Sequence, residues 1–293
     1  MDIPHREVTI SMIHLITGAT GDVGSKVVEQ LMGRGIRPRI FVRNADKARA
    51  RFGDRVDVFT GDLADEAALC AALQGADSLF LVNSGPAIPA LDALAARAAR
   101  AAGVRHIVKL SSLDVEKSLA IGAWHEQGEA AIRASRIGFT FVRPAGFMSN
   151  LLAWAHSVKA EGVVRAATGD GRRAFIHSAD IAAVAVEALV SAKYLGKELP
   201  ITGPEAVSFA EVAEKIGAAI GKPVRFEAIS DEEAGQRFAA RGEPAEVVKA
   251  HVALWRALRE GRMGTVTGEL ERVLGRPPIC LDTWVSENAE AFR

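Results

Sequence analysis

The segment Ile16-Thr17-Gly18-Ala19-Thr20-Gly21-Asp22-Val23-Gly24 carries the strongest chemical signal in the chain. Glycine recurs there at every third position, between an apolar run over Ile13 to Thr17 and a helical periodicity over Val23 to Arg34. At that junction Gly18 would permit a tight turn, Gly21 would let backbone N–H groups approach a pyrophosphate, and Gly24 would let the helix pack closely on a strand. Thr20, Gly21, Asp22 and Val23 would then surround a dinucleotide's phosphates. Glycines that only punctuate a turn are the plain alternative, and the strand-to-helix context favours binding.

Two further positions refine the ligand. Arg43, with Asn44 and Lys47 beyond it, stands where an NAD-preferring site would hold an acid against the ribose hydroxyls. A guanidinium can fork onto a 2′-phosphate that a carboxylate would repel, so Arg43 points to NADPH. A solvated arginine at a strand end is the alternative. After the third strand, Asp62 can accept from the adenine amino group while Leu63 packs on the ring, although Asp62 also suits a turn.

The elements that must position these residues follow from periodicity. Strands are expected at Ile13 to Thr17, Arg39 to Arg43, Val56 to Thr60, Ser78 to Val82, His106 to Leu110 and Phe139 to Arg143. Helices are expected between them at Val23 to Arg34, Asp46 to Phe52, Glu66 to Leu73, Ala90 to Ala102 and Trp124 to Ser135. Gly35, Gly75, Gly103 and Gly138 each follow a helix, as left-handed caps would. Apolar strands alternating with helices imply an α/β fold, a Rossmann-type doubly wound parallel sheet that binds ligands at the carboxyl ends of its strands. Residues 1–150 form that dinucleotide-binding part. Residues 151–293 read as a smaller α-rich substrate lobe packed against it and not folding independently, with short extended pieces at Leu199 to Ile201 and Val224 to Ala228. Ser208 with Glu211 and Ser230 with Glu233 have capping-box spacing.

Composition excludes several classes. The 293 residues carry 36 basic and 36 acidic side chains, so no global charge draws the chain to nucleic acid. Hydrophobic residues make up 49% and charged residues 25%, an ordinary folded composition. Only Cys70 and Cys280 are present, which excludes a disulfide framework and favours a reducing cytoplasm. The start of the chain is charged at Asp2, His5, Arg6 and Glu7 rather than apolar, and no later stretch has the roughly 20 apolar residues of a membrane span. No histidine pairs with cysteines or acids at metal-ligand spacing, and no G-x-S-x-G nucleophile elbow occurs.

With Thr17 to Gly24, Val42-Arg43, Gly61-Asp62-Leu63, Leu110-Ser111-Ser112 and Arg143-Pro144-Ala145-Gly146-Phe147-Met148-Ser149-Asn150, the chain resembles the NmrA-like, atypical branch of the short-chain dehydrogenase/reductase superfamily. Phe175 to Ala182 and Ile201 to Glu205 resemble that family's later landmarks, so the likeness spans nearly the whole chain. It implies that Val82, Asn83 and Ser84 line the cofactor and that Pro144, Ala145, Gly146 and Phe147 touch its nicotinamide end. It also implies that Trp124, Phe147, Met148, Asn150 and Trp154 face the substrate. Ser111 could hydrogen-bond the nicotinamide amide or a substrate carbonyl, or simply end its strand.

One departure matters for mechanism. Where the wider superfamily carries Tyr-x-x-x-Lys, this chain reads His125-Glu126-Gln127-Gly128-Glu129, and its single tyrosine, Tyr194, lies far along the sequence. A simple ketone becomes a basic alkoxide on reduction, and losing its general acid would cost about 10²–10⁴ in rate. A quinone or other conjugated acceptor yields a delocalised anion that positioning alone can serve. His125 could donate a proton or hydrogen bond to it, or could only pack beside Trp124. Glu129 could orient His125 or face water. The expected activity is an NADPH-dependent reduction of a quinone-like or conjugated aromatic carbonyl, without flavin or metal. A partner enzyme that consumes the reduced product is compatible with this reading. The alternative is a non-catalytic NADP(H)-binding redox sensor of the NmrA type.

Overall fold

In the computed structural model, residues 12–117 and 119–293 are described. The charged start, with Asp2, His5, Arg6 and Glu7, lies outside them. The first half alternates strand and helix: β1 (His14–Thr17), α1 (Asp22–Gly33), β2 (Arg39–Val42), α2 (Ala45–Phe52), β3 (Asp57–Thr60), α3 (Glu66–Leu73), β4 (Ser78–Leu81), α4 (Ile88–Ala101), β5 (His106–Leu110), α5 (Ala120–Ala134) and β6 (Gly138–Pro144). The second half runs α6 (Ala155–Glu161), β7 (Val163–Ala166), β8 (Arg172–Arg173), α7 (Ser178–Val190), β9 (Lys197–Ile201), β10 (Val207–Ser208), α8 (Phe209–Ile220), β11 (Arg225–Ala228), α9 (Asp231–Ala240), α10 (Ala245–Arg259), α11 (Glu269–Leu274) and α12 (Leu281–Glu287).

Seven parallel strands form the central sheet in the order β3-β2-β1-β4-β5-β6-β9. The order reverses between β1 and β4, where Ile16 pairs with Ile40 on one side and Phe80 on the other. Successive side chains point to opposite faces, and both faces are apolar because helices cover both. Ile16, Ile40, Phe80, Val108 and Val142 join α1 and α7 on one face. Leu15, Phe41, Leu79, Ile107 and Phe141 join α3, α4 and α5 on the other. No helix among the described residues is long and apolar enough to cross a membrane.

Several local expectations change. Gly35, Gly75 and Gly103 do take positive φ, but Gly138 does not; Arg136 holds the left-handed position there, with φ 59°. Gly138 instead opens β6, where a Cβ would crowd Leu195 and the Arg105 carbonyl. The α5 helix starts at Ala120 rather than Trp124 because Gly122, lacking a Cβ, lets its first turn lie on the Asp114 carbonyl. Ser208 forms a full capping box with Glu211, whereas Ser230 accepts from the Glu233 N–H without the reciprocal bond.

The expected division at residue 150 is crossed by the sheet. β9 pairs with β6 from Thr140↔Lys197 to Pro144↔Ile201, and α7 packs on the sheet beside α1. Of the remainder beyond residue 150, α11 joins the α7 face of the sheet through Leu270, while α6, α8, α12 and part of α10 gather around a second apolar cluster, with β7 paired to β11 and β8 to β10. Met148, Leu151 and Trp154 belong to that cluster.

Candidate active site

The glycine loop between β1 and α1 has the geometry its spacing demands. Gly18 sits at φ +61°, and a Cβ there would lie 3.1 Å from Cβ of Val82. A Cβ at Gly24 would overlap the Gly18 carbonyl oxygen, so only glycine lets α1 start this close to the loop. Gly21 is the N-cap of α1 and offers no side-chain cap, leaving the first-turn N–H groups free for an anion. Thr17 Oγ1 accepts from Val82 N at 2.8 Å and donates to the Phe80 carbonyl at 3.0 Å, tying the ends of β1 and β4 together beside the loop. These features fit a dinucleotide pyrophosphate.

Asp22, in the first turn of α1, has its carboxylate engaged by Lys26 Nζ at 2.6 Å, by Ser149 Oγ at 2.6 Å and by the Ser178 hydroxyl. Burial pushes its carboxyl up, but these hydrogen bonds and the Lys26 charge outweigh it and hold the group below its usual range. Asp22 therefore links the loop to the chain beyond β6 and to α7. Arg43 follows β2 with its guanidinium exposed. Asn44 caps α2 by accepting from the Lys47 N–H at 2.8 Å. Asp62 accepts from the Ala64 N–H at 2.9 Å, the turn role, and Leu63 packs half-buried on the core.

At the carboxyl ends of β4, β5 and β6 a cavity of about 610 Å³ opens, a size that suits a small-molecule ligand. Val82, Asn83, Ser84, Ser111, Pro144, Ala145, Gly146 and Phe147 line it, together with Trp124, His125 and Asn150. Met148 and Trp154 do not. Met148 is packed in the apolar cluster, and the Trp154 indole donates to the Arg165 carbonyl at 2.8 Å, so both are core residues. Thr20 lies in the glycine loop, and Val23, in the first turn of α1, turns its side chain into the core. Tyr194 is buried behind the sheet, its hydroxyl 3.5 Å from the Val273 carbonyl.

Buried charge surrounds this cavity. Glu129 neither orients His125 nor faces water: it takes a two-pronged bond from Arg143, Nε to Oε1 at 2.9 Å and Nη2 to Oε2 at 2.6 Å, plus one from Ser111 Oγ at 2.6 Å. The Ser111 hydroxyl proton is thereby committed, and its free lone pairs can still accept. Lys109 and Asp92 form an ion pair at 2.6 Å with both side chains fully buried, and Asn83 Nδ2 donates to Asp92 Oδ1 at 2.7 Å.

His125 needs a correction. Burial, aided by the Lys109 charge, pushes its imidazole down to about 3, so at neutral pH it is the neutral base and not an imidazolium donor. Its Nδ1 is buried without a partner. A neutral ring can still hydrogen-bond an acceptor, but it does not replace a titrating acid.

Sequence reasoning missed Gly85, Ile88, Asp114, Ile121, Arg173, Glu243, Val247, His251 and Leu254, which also line the cavity. Glu243 accepts from or pairs with His251, Oε2 to Nδ1 at 2.7 Å. Asp114 comes from the β5–α5 connection, Ile121 from α5 and Arg173 from β8, while Val247, His251 and Leu254 of α10 and Glu243 just before it join the cavity about 100 residues after Pro144 to Phe147, a meeting no local pattern announces. Arg173, two residues before Phe175, and Asp114, two residues after Ser112, adjoined quoted landmarks. Among the described residues no three metal-ligating side chains converge.

Residues 18–192 match the model of a family described as NAD(P)H-binding. Over 281 residues the chain is 39% identical to the (4-alkanoyl-5-oxo-2,5-dihydrofuran-3-yl)methyl phosphate reductase of Streptomyces griseus, covering 95% of this chain and 98% of that one. It is 34% identical over 283 residues to an NAD(P)H azoreductase of Xenophilus azovorans, covering 95% and 98%. Among solved structures, an NADPH-dependent quinone oxidoreductase of Escherichia coli in complex with NADPH superposes with a TM-score of 0.85 at 30% identity, covering 94% of this chain and 99% of that one.

Proposed function

We propose a substrate and a route for a chain that belongs to the NAD(P)H-binding family, in its NmrA-like, atypical short-chain dehydrogenase/reductase branch. It is an NAD(P)H-dependent oxidoreductase related to quinone oxidoreductases and azoreductases. The proposed reaction is NADPH-dependent reduction of a quinone-like or conjugated carbonyl compound by direct hydride transfer, without a flavin.

The observation that carries the proposal is the cavity's wall. Ile121, Trp124, Val247 and Leu254 give it an apolar lining beside Pro144 to Phe147, the residues expected at the nicotinamide end, which suits an aromatic body. The helix beside it, α5, offers a neutral His125 and a committed Glu129 where an alkoxide would need an acid. When bound, NADPH supplies the hydride. A conjugated acceptor spreads the resulting negative charge over its own π system, and the protein's task reduces to holding and desolvating it. The relatives' names agree in kind: a dihydrofuranone conjugated to a carbonyl, an azo compound and a quinone are all extended acceptors.

The NADPH preference rests on Arg43. Arg43→Asp is expected to lower kcat/KM for NADPH by about 10–100-fold, the value of one or two lost charge-assisted hydrogen bonds, and to shift the preference toward NADH. An unchanged ratio of the two cofactors' kcat/KM would remove Arg43 from the 2′-phosphate site. The reductase reading itself is tested by turnover against a quinone panel. Selective NADPH binding with no turnover is instead what a redox sensor would give.

A further inference from the structure

Arg173 reaches the cavity from β8, and its chemistry is unused by anything described so far. We propose that its guanidinium is the oxyanion-stabilising group of the reaction, receiving the oxygen of a neutral conjugated carbonyl acceptor beside Gly146 and taking over the electrostatic part of the absent tyrosine's role. This inference rests on the reductase reading.

The placement is fixed from three sides. Arg173 is 7% exposed, and β8 pairs it with Val207 of β10. Its Nη2 donates to Asp114 Oδ1 at 3.2 Å and Oδ2 at 3.3 Å. Asp114 is itself held, its N–H donating to Ser112 Oγ at 3.1 Å and its carbonyl lying under Gly122. On the third side the guanidinium lies on Gly146: a Cβ there would overlap Nε and stand 2.8 Å from Cδ and 3.2 Å from Cζ. Gly146 lies among the residues expected at the nicotinamide end, so the cation sits where hydride transfer would occur.

One donor is left over. Arg173 Nη1 is shut off from water and has no protein partner. A buried guanidinium N–H without an acceptor is costly, and such groups in native proteins call for an explanation. Arg173 lines the cavity, so a substrate oxygen seated against the guanidinium meets its cavity-facing edge, and a small turn of the side chain gives Nη1 the acceptor the protein withholds.

Charge decides which oxygen. Arg173 and Asp114 together carry no net charge, so the pair does not select a substrate that is already anionic. Its N–H dipole strengthens as charge grows on a carbonyl oxygen, which is stabilisation realised mainly in the transition state. In the proposed step the C4–H bond of a bound dihydronicotinamide breaks and leaves NADP+, its hydride forms a C–H bond at the acceptor carbon, the conjugated π pair moves to the oxygen beside Arg173, and solvent supplies one proton. With a quinone, transfer of the ring proton to solvent and of another to the remaining carbonyl oxygen then gives the hydroquinone. Arginine keeps its own proton throughout.

The test uses the full-length protein, NADPH and a series of benzoquinones whose hydroquinone products span a range of acidity. Arg173→Met is expected to lower kcat by about 10²-fold or more, in the range for a lost oxyanion donor, with the loss growing as the product becomes less acidic. NADPH affinity, read by fluorescence titration, should change less than about twofold, and Arg173→Lys should recover part of kcat. The double variant Asp114→Leu with Arg173→Met removes the stranded carboxylate and keeps the test valid if the single variant misfolds. A loss equal for every quinone, a loss that follows NADPH affinity, or an unchanged kcat would overturn the assignment. Absence of wild-type turnover would remove the reductase reading and this one with it, whereas wild-type turnover with unchanged variants removes this one alone.

Discussion

Asp92→Asn is expected to lower the stability of the protein by about 3–5 kcal/mol, the cost of leaving a buried charge without its partner. Lys109, in β5, and Asp92, in α4, are both fully buried, and their 2.6 Å contact is the cation's countercharge. The geometry leaves no slack. A Cβ at Gly128 of α5 would overlap Asp92 Oδ2, so α5 closes over the pair and keeps water away. Urea denaturation of the single variant and of Asp92→Leu with Lys109→Met separates two explanations. Replacing both charges by apolar groups should recover most of the loss, because the penalty belongs to the unpaired ion. Equal losses in the single and double variants would contradict that account. Asn83, which hydrogen-bonds Asp92 and lines the cavity, connects the buried pair to the cavity wall.

Acidification supplies the second large effect. Burial pushes His125 down to about 3 and, with the nearby His14, His106 down to about 4; burial also lowers His14, against the Asp77 charge. An unfolded histidine titrates near 6.5, so between that value and the folded value the unfolded chain binds more protons. Stability from these groups is therefore complete above about pH 6.5 and is lost as pH falls through the window toward 4 and then 3. Each group contributes a slope of roughly 1.4 kcal/mol per pH unit within its window. The Tm is expected to fall steeply from pH 6.5 to 4.5 and to stay nearly flat from 6.5 to 7.5. His125→Asn should reduce the acid slope by about one proton's worth, whatever it does to Tm at neutral pH. A Tm independent of pH down to 5 would contradict the burial of these imidazoles.

How far the sequence reached depends on the range of the interactions. Strands β1 to β6 and the helices between them were legible because each is an apolar run or an amphipathic repeat bounded by glycine or a cap. The glycine loop was legible because each glycine answers a separate steric demand within a few residues. What failed was non-local. The seventh strand, β9, looks in sequence like a fragment of the second half, and only its pairing with β6 places it in the sheet. His125 reads as a titrating group until the burial that α5 imposes is known. Glu129 reads as its orienting partner, yet Arg143 from β6 captures it. Met148 lies in, and Trp154 just beyond, a landmark expected to face the substrate, but the chain turns them into the second apolar cluster. Arg173 had no periodic or motif signal, because its importance comes from Gly146 and Asp114 meeting it in space.

The central claim is that this chain reduces a conjugated acceptor directly with NADPH. The most direct measurement follows NADPH and, separately, NADH oxidation by purified protein across simple and polycyclic quinones, with protein-free and flavin-only controls. Saturable turnover that prefers NADPH and needs no added flavin is the predicted result. NADPH binding without turnover on any acceptor would contradict the claim, and so would turnover that appears only when flavin is supplied.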